Sequence, residues 1–377
     1  MSGAGPTLRG MTISSAQALA WRLGRQHLLS GAATAHEVVR RLGAVPAWSG
    51  DADLAVRRRL ADPAPGAVAA AVAAGDLIRT FAFRGSSHLM AADEAGAYLA
   101  VRTASRQWAL RSWQEHYDLR PDDWPALLDA VRGALADGPL DREAFAAAVT
   151  AVPRFAHLGD ALLHPSMTLL KPIAWHGELC FGPSPDGRPT FASPSASPRW
   201  RGLPDLDEAG RRAVVAYLGA YGPATRANLH YWLAEGLSAG RRRVERWTDE
   251  VLRDAATEVA VDGEPALLLR EHVAEVEAAE PTDAVTLLAA HDQWVLGPGT
   301  ADERVVPAAR RAGVTRGAAL VLRGGVVAGT WAAGPGGALD VTWFAEAGSP
   351  PEDALDAEAD RLGTLLGRAL DLRVGPG

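Results

Sequence analysis

Leu77-Ile78-Arg79-Thr80-Phe81-Ala82-Phe83-Arg84-Gly85-Ser86-Ser87-His88-Leu89-Met90 is the stretch on which the fold turns. The β-branched and aromatic residues of 77–83 predict a strand, Arg84-Gly85-Ser86-Ser87 a turn, and His88-Leu89-Met90 a returning strand. Three helices are expected upstream. Ser14 or Ser15 can cap a helix over 16–29 with Leu19, Leu23 and Leu28 on one side, and Thr34 can cap a second over 34–42. A third, over 64–74, stops at Gly75-Asp76. Three helices followed by a hairpin is the order of a winged helix, a variant of helix-turn-helix.

The same order recurs downstream. Helices over 124–136 and 141–150 and a short helix or turn within 158–171 precede strands at Ile173–Phe181 and Pro189–Ala192. Helices over 208–221, 225–235 and within 239–255 precede a hairpin across the turn Asp262-Gly263-Glu264, a strong hairpin signal. The spacing is irregular, so a motif repeats without forming a solenoid. From Ala284 the pattern changes to short strands at 285–288, 318–322, 326–331 and 339–344, then an amphipathic helix over 351–370. The expected fold is α+β: three tandem winged-helix motifs, a small C-terminal antiparallel β-barrel and a terminal helix. The boundaries fall at 1–110, 111–204, 205–283 and 284–377, with residues 1–12 as a frayed leader.

A length of 377 residues suits two or three domains with a buried core. The single cysteine, Cys180, excludes an internal disulfide and a cysteine-based zinc cluster and fits a reducing cytoplasm. Residues 1–15 lack the continuous apolar core of a signal peptide, and the charge-free run 64–75 is too short to span a bilayer. A cytoplasmic monomer without membrane contact is expected. The net charge of −7 counts against tight non-specific DNA binding. All cations but Lys171 are arginine. A GC-rich genome produces such a bias everywhere, so only local arginine clusters carry information.

Five stretches stand in register along the chain: Phe83-Arg84-Gly85-Ser86-Ser87-His88-Leu89, Gly177-Glu178-Leu179-Cys180-Phe181-Gly182-Pro183, Ala220-Tyr221-Gly222-Pro223-Ala224-Thr225, His291-Asp292-Gln293-Trp294-Val295-Leu296-Gly297 and Arg323-Gly324-Gly325-Val326-Val327-Ala328-Gly329-Thr330-Trp331. In this order the chain resembles the AlkZ/YcaQ-like winged-helix proteins over nearly its whole length. The resemblance implies a concave, DNA-sized channel and a metal-free DNA glycosylase that releases N7-alkylated or cross-linked purines. An alkylated purine is already cationic and leaves readily, so such an enzyme must place a water and stabilise an oxocarbenium-like sugar. The family does this with a Gln-x-Gln or Gln-x-Asp pair. By the flanking Leu42-Gly43-Ala44-Val45 and Gly50-Asp51, that pair falls on Pro46 and Trp48. Proline offers no side-chain hydrogen bond, and tryptophan offers one donor and no acceptor.

The candidate residues follow from this frame. Trp48 can stack on a base or wedge into a duplex, or else close the loop onto the core; Pro46 fixes the backbone. Asp51 or Asp53, beyond Trp48, could take over the placing of a water. Arg84, Ser86 and Ser87 form a wing tip able to hold phosphates, or a solvated turn, and His88 at the start of the return strand is a structural histidine or a further contact. Arg241, Arg242, Arg243 and Arg246 lie on a helix expected to face a groove, and Arg57-Arg58-Arg59 is a second cluster of the same ambiguity. Asp292 either orients a group across the channel or serves as a structural turn carboxylate. His157 and His164 lack partners at ligand spacing, and Gly334-Pro335-Gly336-Gly337 lacks the lysine of a phosphate loop, so neither metal nor cofactor is expected. The leading expectation is a DNA-binding protein for double-stranded DNA, alkylated duplex included. Two alternatives stay open: an active monofunctional glycosylase using Asp51, and a binder of a DNA-damaging small molecule.

Overall fold

Hydroxyl caps start the first two helices. Ser14 and Gln17 form a reciprocal capping box on Ser15–Arg25, and the Thr34 hydroxyl accepts from the Glu37 N–H at the head of Ala35–Leu42. Gly43, at φ 79°, ends the second helix where a side chain would be strained. These elements belong to a computed structural model that describes residues 12–49, 51–184 and 187–377. The chain is mixed α+β and divides into two units. One comprises Met1–Val68, Val214–Trp232 and Glu245–Gly377; the other comprises Ala69–Ala213 and Leu233–Val244.

The first unit holds two sheets. Ala256–Val261 and Glu264–Leu269 form the expected hairpin, and its turn residues Asp262 and Gly263 both have positive φ, as a tight two-residue turn requires. Thr12–Ile13 adds a parallel strand to that hairpin. Thr12 is thus part of a strand, while the rest of the expected leader lies outside the described residues. The second sheet runs Val285–Leu288, Ala319–Arg323, Val326–Ala333, Ala338–Trp343 and Asp371–Pro376 in linear order. Its first four strands are antiparallel, as expected. The last is parallel to Ala338–Trp343, and the two outer strands do not pair. The expected barrel is therefore an open sheet, and the final helix, Glu352–Leu366, stops at left-handed Gly367 and is followed by a strand. Leu355, Ala359 and Leu362, one helical stripe, pack with Leu287, Val321 and Val341 of the sheet.

In the second unit Leu77–Phe81 and Ser87–Ala91 pair antiparallel with Arg79 opposite Leu89. The free edge of Leu77–Phe81 accepts Cys180–Phe181, which pairs with Thr190–Ala192, which in turn pairs with Leu140–Asp141. The strand expected over Ile173–Phe181 is shorter: Leu170–Trp175 is a helix, with Leu170 and Pro172–Trp175 buried. A short apolar run buried on all sides has no alternation to distinguish strand from helix. Ala92–Thr103 forms a further helix whose residues are mostly buried. Among the described residues no helix is long and apolar enough to cross a membrane.

Candidate functional site

The loop after Gly43 is held from below. The Tyr221 hydroxyl donates to the Leu42 carbonyl at 2.8 Å and lies 3.3 Å from Gln293 Oε1. Val45 and Pro46 are extended and buried. Trp48 is 46% exposed, and its ring centroid lies 5.8 Å from that of His291 at a tilt of 52°. His291 has φ 56° and packs its imidazole on Gly317, where any β-carbon would come within 2.3 Å of Nε2. Asp51 stands at the start of Ala52–Arg57, with no side-chain hydrogen bond to the first turn. Asp53 is engaged by Arg57 at 3.2 Å. The loop thus offers a half-exposed indole beside an imidazole, with a carboxylate at its far end.

Asp292, next to His291, does not reach solvent. It binds Arg59 through both oxygens at 2.7 and 2.8 Å and accepts from the Trp294 N–H, capping Gln293–Leu296. Neither side chain of the pair is exposed. Arg58 pairs with Glu358, and Arg57 donates to the Pro63 and Leu365 carbonyls. The Arg57-Arg58-Arg59 cluster is therefore turned inward.

Other arginines of this unit converge instead. Arg25 Nε and Arg41 Nη1 donate to one acceptor, the Gly219 carbonyl, at 3.4 and 3.2 Å. Burial and the neighbouring guanidinium groups of Arg25 and Arg40 push Arg41 down to about 10. Two cations sharing a carbonyl oxygen form a setting that an anion would relieve. Arg25 closes the helix Ser15–Arg25 and Arg41 stands beside Arg40 in Ala35–Leu42, and only the tertiary fold brings the two to one oxygen.

In the second unit the turn expected as a wing tip is tighter than the sequence suggests. Arg84, at φ 51°, is exposed and donates its backbone N–H to Gly236 O at 2.7 Å. Ser86 is half-buried. Ser87 is buried, against its expected place at an exposed tip, and His88 is buried with its ring bonded, as in the structural alternative: Ser87 Oγ lies 3.4 Å from Arg79 Nη2, and His88 Nδ1 donates to Ser86 O at 3.0 Å. The strand that pairs from Ser87 onward is buried along its whole length, which encloses both residues. Burial, aided by Arg84, lowers His88 to about 4 and keeps its ring neutral. Lys171 lies beside Gly85, where a β-carbon would come no closer to it than ordinary contact, 3.7 Å.

On Arg241–Asp254, Val244, Trp247 and Val251 are buried, while Arg241, Arg242, Arg243 and Arg246 are all exposed. Arg243 Nη1 donates to the Ala239 carbonyl, and Arg246 faces Glu250 at 3.9 Å. The helix begins with three cations at its positive end, an arrangement that favours an anion there. Among the described residues no group of three or more His, Cys, Asp or Glu could hold a metal ion.

Comparison with known proteins gives these features a frame. A family model described as DNA glycosylase AlkZ-like matches residues 39–365. An interstrand DNA cross-link repair glycosylase from Streptomyces sahachiroi is 36% identical over 316 residues, covering 82% of this chain and 84% of that protein. The solved structure of Streptomyces sahachiroi DNA glycosylase AlkZ superposes with a TM-score of 0.90 at 34% identity, covering 97% of this chain and all of that one.

Proposed function

Since the chain belongs to the AlkZ-like DNA glycosylase family, we propose that it binds double-stranded DNA carrying alkylated or cross-linked purines and holds the lesion without hydrolysing it. One observation supports this reading: Pro46 and Trp48, onto which the resemblance would put a water-positioning pair, are a buried proline and a half-exposed tryptophan beside His291. An N7-alkylated purine is cationic, and an indole face attracts a cation as well as stacking on a base. Arg25 and Arg41, Arg84 with Ser86, and the arginines at the head of Arg241–Asp254 supply phosphate contacts in this reading. It takes residues 1–110, 111–204 and 205–283 as three winged helices and 284–377 as a C-terminal sheet and helix, acting as a cytoplasmic monomer.

The test is a glycosylase assay on duplex containing N7-methylguanine, read by strand scission after alkali. Scission at the spontaneous rate is expected, together with a gel shift that Trp48→Ala weakens about 10-fold, within the usual worth of a base–aromatic stack. Scission above background would overturn the reading. A specific observation supports that second case: the Asp51 carboxylate makes no capping hydrogen bond. Loss of scission in Asp51→Asn would then assign the water to Asp51.

A further inference from the structure

The second unit contains a cleft of about 740 Å³ that none of the motifs above uses. Its size lies within the range of about 300–1,000 Å³ typical of small-molecule sites. Its walls come from the turn Gln107–Ala109, the helix Arg111–Tyr117, the turn Pro153–Leu158, the helix Gly159–Leu163 and the loop 164–168. Arg111–Tyr117 has no fully buried residue, yet it carries Trp113 and Tyr117, whose ring centroids are 5.0 Å apart at 45°. These two rings line the cleft. They form an aromatic wall half-covered by protein and half-open to an occupant.

The polar groups around that wall have fixed hydrogen-bonding senses. Gln107 Oε1 accepts from Arg102 at 3.1 Å, which leaves the amide NH₂ as a donor. His157 Nε2 donates to the Tyr117 carbonyl at 3.2 Å, so Nδ1 is left to accept. His164 Nδ1 accepts from the Ser166 N–H at 3.2 Å, so its N–H is on Nε2. The lining includes one carboxylate, Asp160, and neither arginine nor lysine. A nucleotide within a strand would need cations for its phosphates beside an aromatic platform. This cleft has the platform without the cations.

We propose that the cleft binds a flat aromatic small molecule with hydrogen-bonding groups on its edges, a cationic or neutral charge and no phosphate. The rings of Trp113 and Tyr117 stack on its face. Gln107 and His164 donate to carbonyl or ring acceptors on its edge, and His157 and Asp160 accept from hydroxyl or amino groups. This site is independent of the Trp48 loop and of the glycosylase question.

The test titrates the full chain, without DNA, with daunorubicin, a planar hydroxyanthraquinone bearing an amine, by calorimetry. A saturable one-to-one complex is expected. Trp113→Ala should weaken it roughly 10-fold, the worth of an aromatic stack together with its buried area. Asp160→Asn, at an exposed position where the fold is not at stake, should also weaken it. Non-saturable uptake, or an unchanged affinity in both variants, would overturn the proposal. So would direct binding of a short single-stranded oligonucleotide to the chain, without the dye, that Trp113→Ala abolishes, which would mark the cleft as a nucleic-acid site.

Discussion

Arg59 and Asp292 illustrate what a residue's neighbours in sequence conceal. Three consecutive arginines look like a surface patch, yet their partners Asp292, Glu358 and Leu365 lie 233 to 308 positions away. No local pattern encodes such pairing. A carboxylate removed from a sealed bidentate pair leaves a buried cation without compensation, which costs about 3–5 kcal/mol. Asp292→Ala should therefore lower the urea midpoint sharply with little change in slope, and Arg59→Met with Asp292→Leu should recover most of the loss. A loss below about 1 kcal/mol in Asp292→Ala would contradict a structural role. His88 gives a second measurable consequence. Its folded value, about 4, lies below the ordinary 6.5 because of burial. On acidification the unfolded chain takes up the proton first, so the contribution is full above pH 6.5 and is lost as pH falls to about 4. The loss is on the order of 3 kcal/mol. Urea unfolding at a series of pH values should show a steeper decline across this window in the natural chain than in His88→Gln. Parallel curves would exclude His88 as the source.

Among elements, those with end signals were legible and those without were not. Ser14, Thr34, Asp141 and Thr225 each accept an N–H of the turn they precede, and the helices they open were readable from hydroxyl or carboxylate followed by an amphipathic run. The Asp262-Gly263 hairpin was readable for the same reason. Leu170–Trp175 was not, since Ile173-Ala174-Trp175 is buried on every side and shows no period. Asp371–Pro376 was not either: a mostly exposed edge strand containing Gly375 and Pro376 owes its form to pairing with Ala338–Trp343. Arg241–Asp254 offers an element-scale prediction with opposite signs in two assays. Three cations in its first turn oppose the helix dipole. Replacing Arg241 and Arg242 by glutamine should raise stability by roughly a few tenths of a kcal/mol while weakening duplex binding. Thermal melts and gel shifts on the same preparations decide it. Loss of stability with unchanged binding would mean that the arginines serve the fold alone.

On the scale of the whole molecule, the net charge of −7 and a DNA-binding function are compatible only if cations are concentrated where phosphates arrive. Part of the basic inventory does not serve there, since Arg57, Arg58 and Arg59 are buried. Two local groupings stand out among the rest, the shared carbonyl of Arg25 and Arg41 and the head of Arg241–Asp254. A net negative charge gives no long-range positive field, so in the proposed reading duplex binding would depend on a small number of contacts. The logarithm of duplex affinity should fall with the logarithm of salt concentration at a shallow slope, roughly −0.9 for each phosphate engaged. Arg41→Ala should reduce that slope by about one and weaken intact and alkylated duplex alike, because a phosphate contact carries no lesion information. Trp48→Ala should do the reverse: the slope stays and the preference for alkylated duplex declines, since stacking releases no counterion. Fluorescence anisotropy with both duplexes at several salt concentrations separates the two. A slope unaffected by Arg41→Ala would remove the Arg25 and Arg41 pair from the interface, and a lesion preference unaffected by Trp48→Ala would remove the loop from recognition.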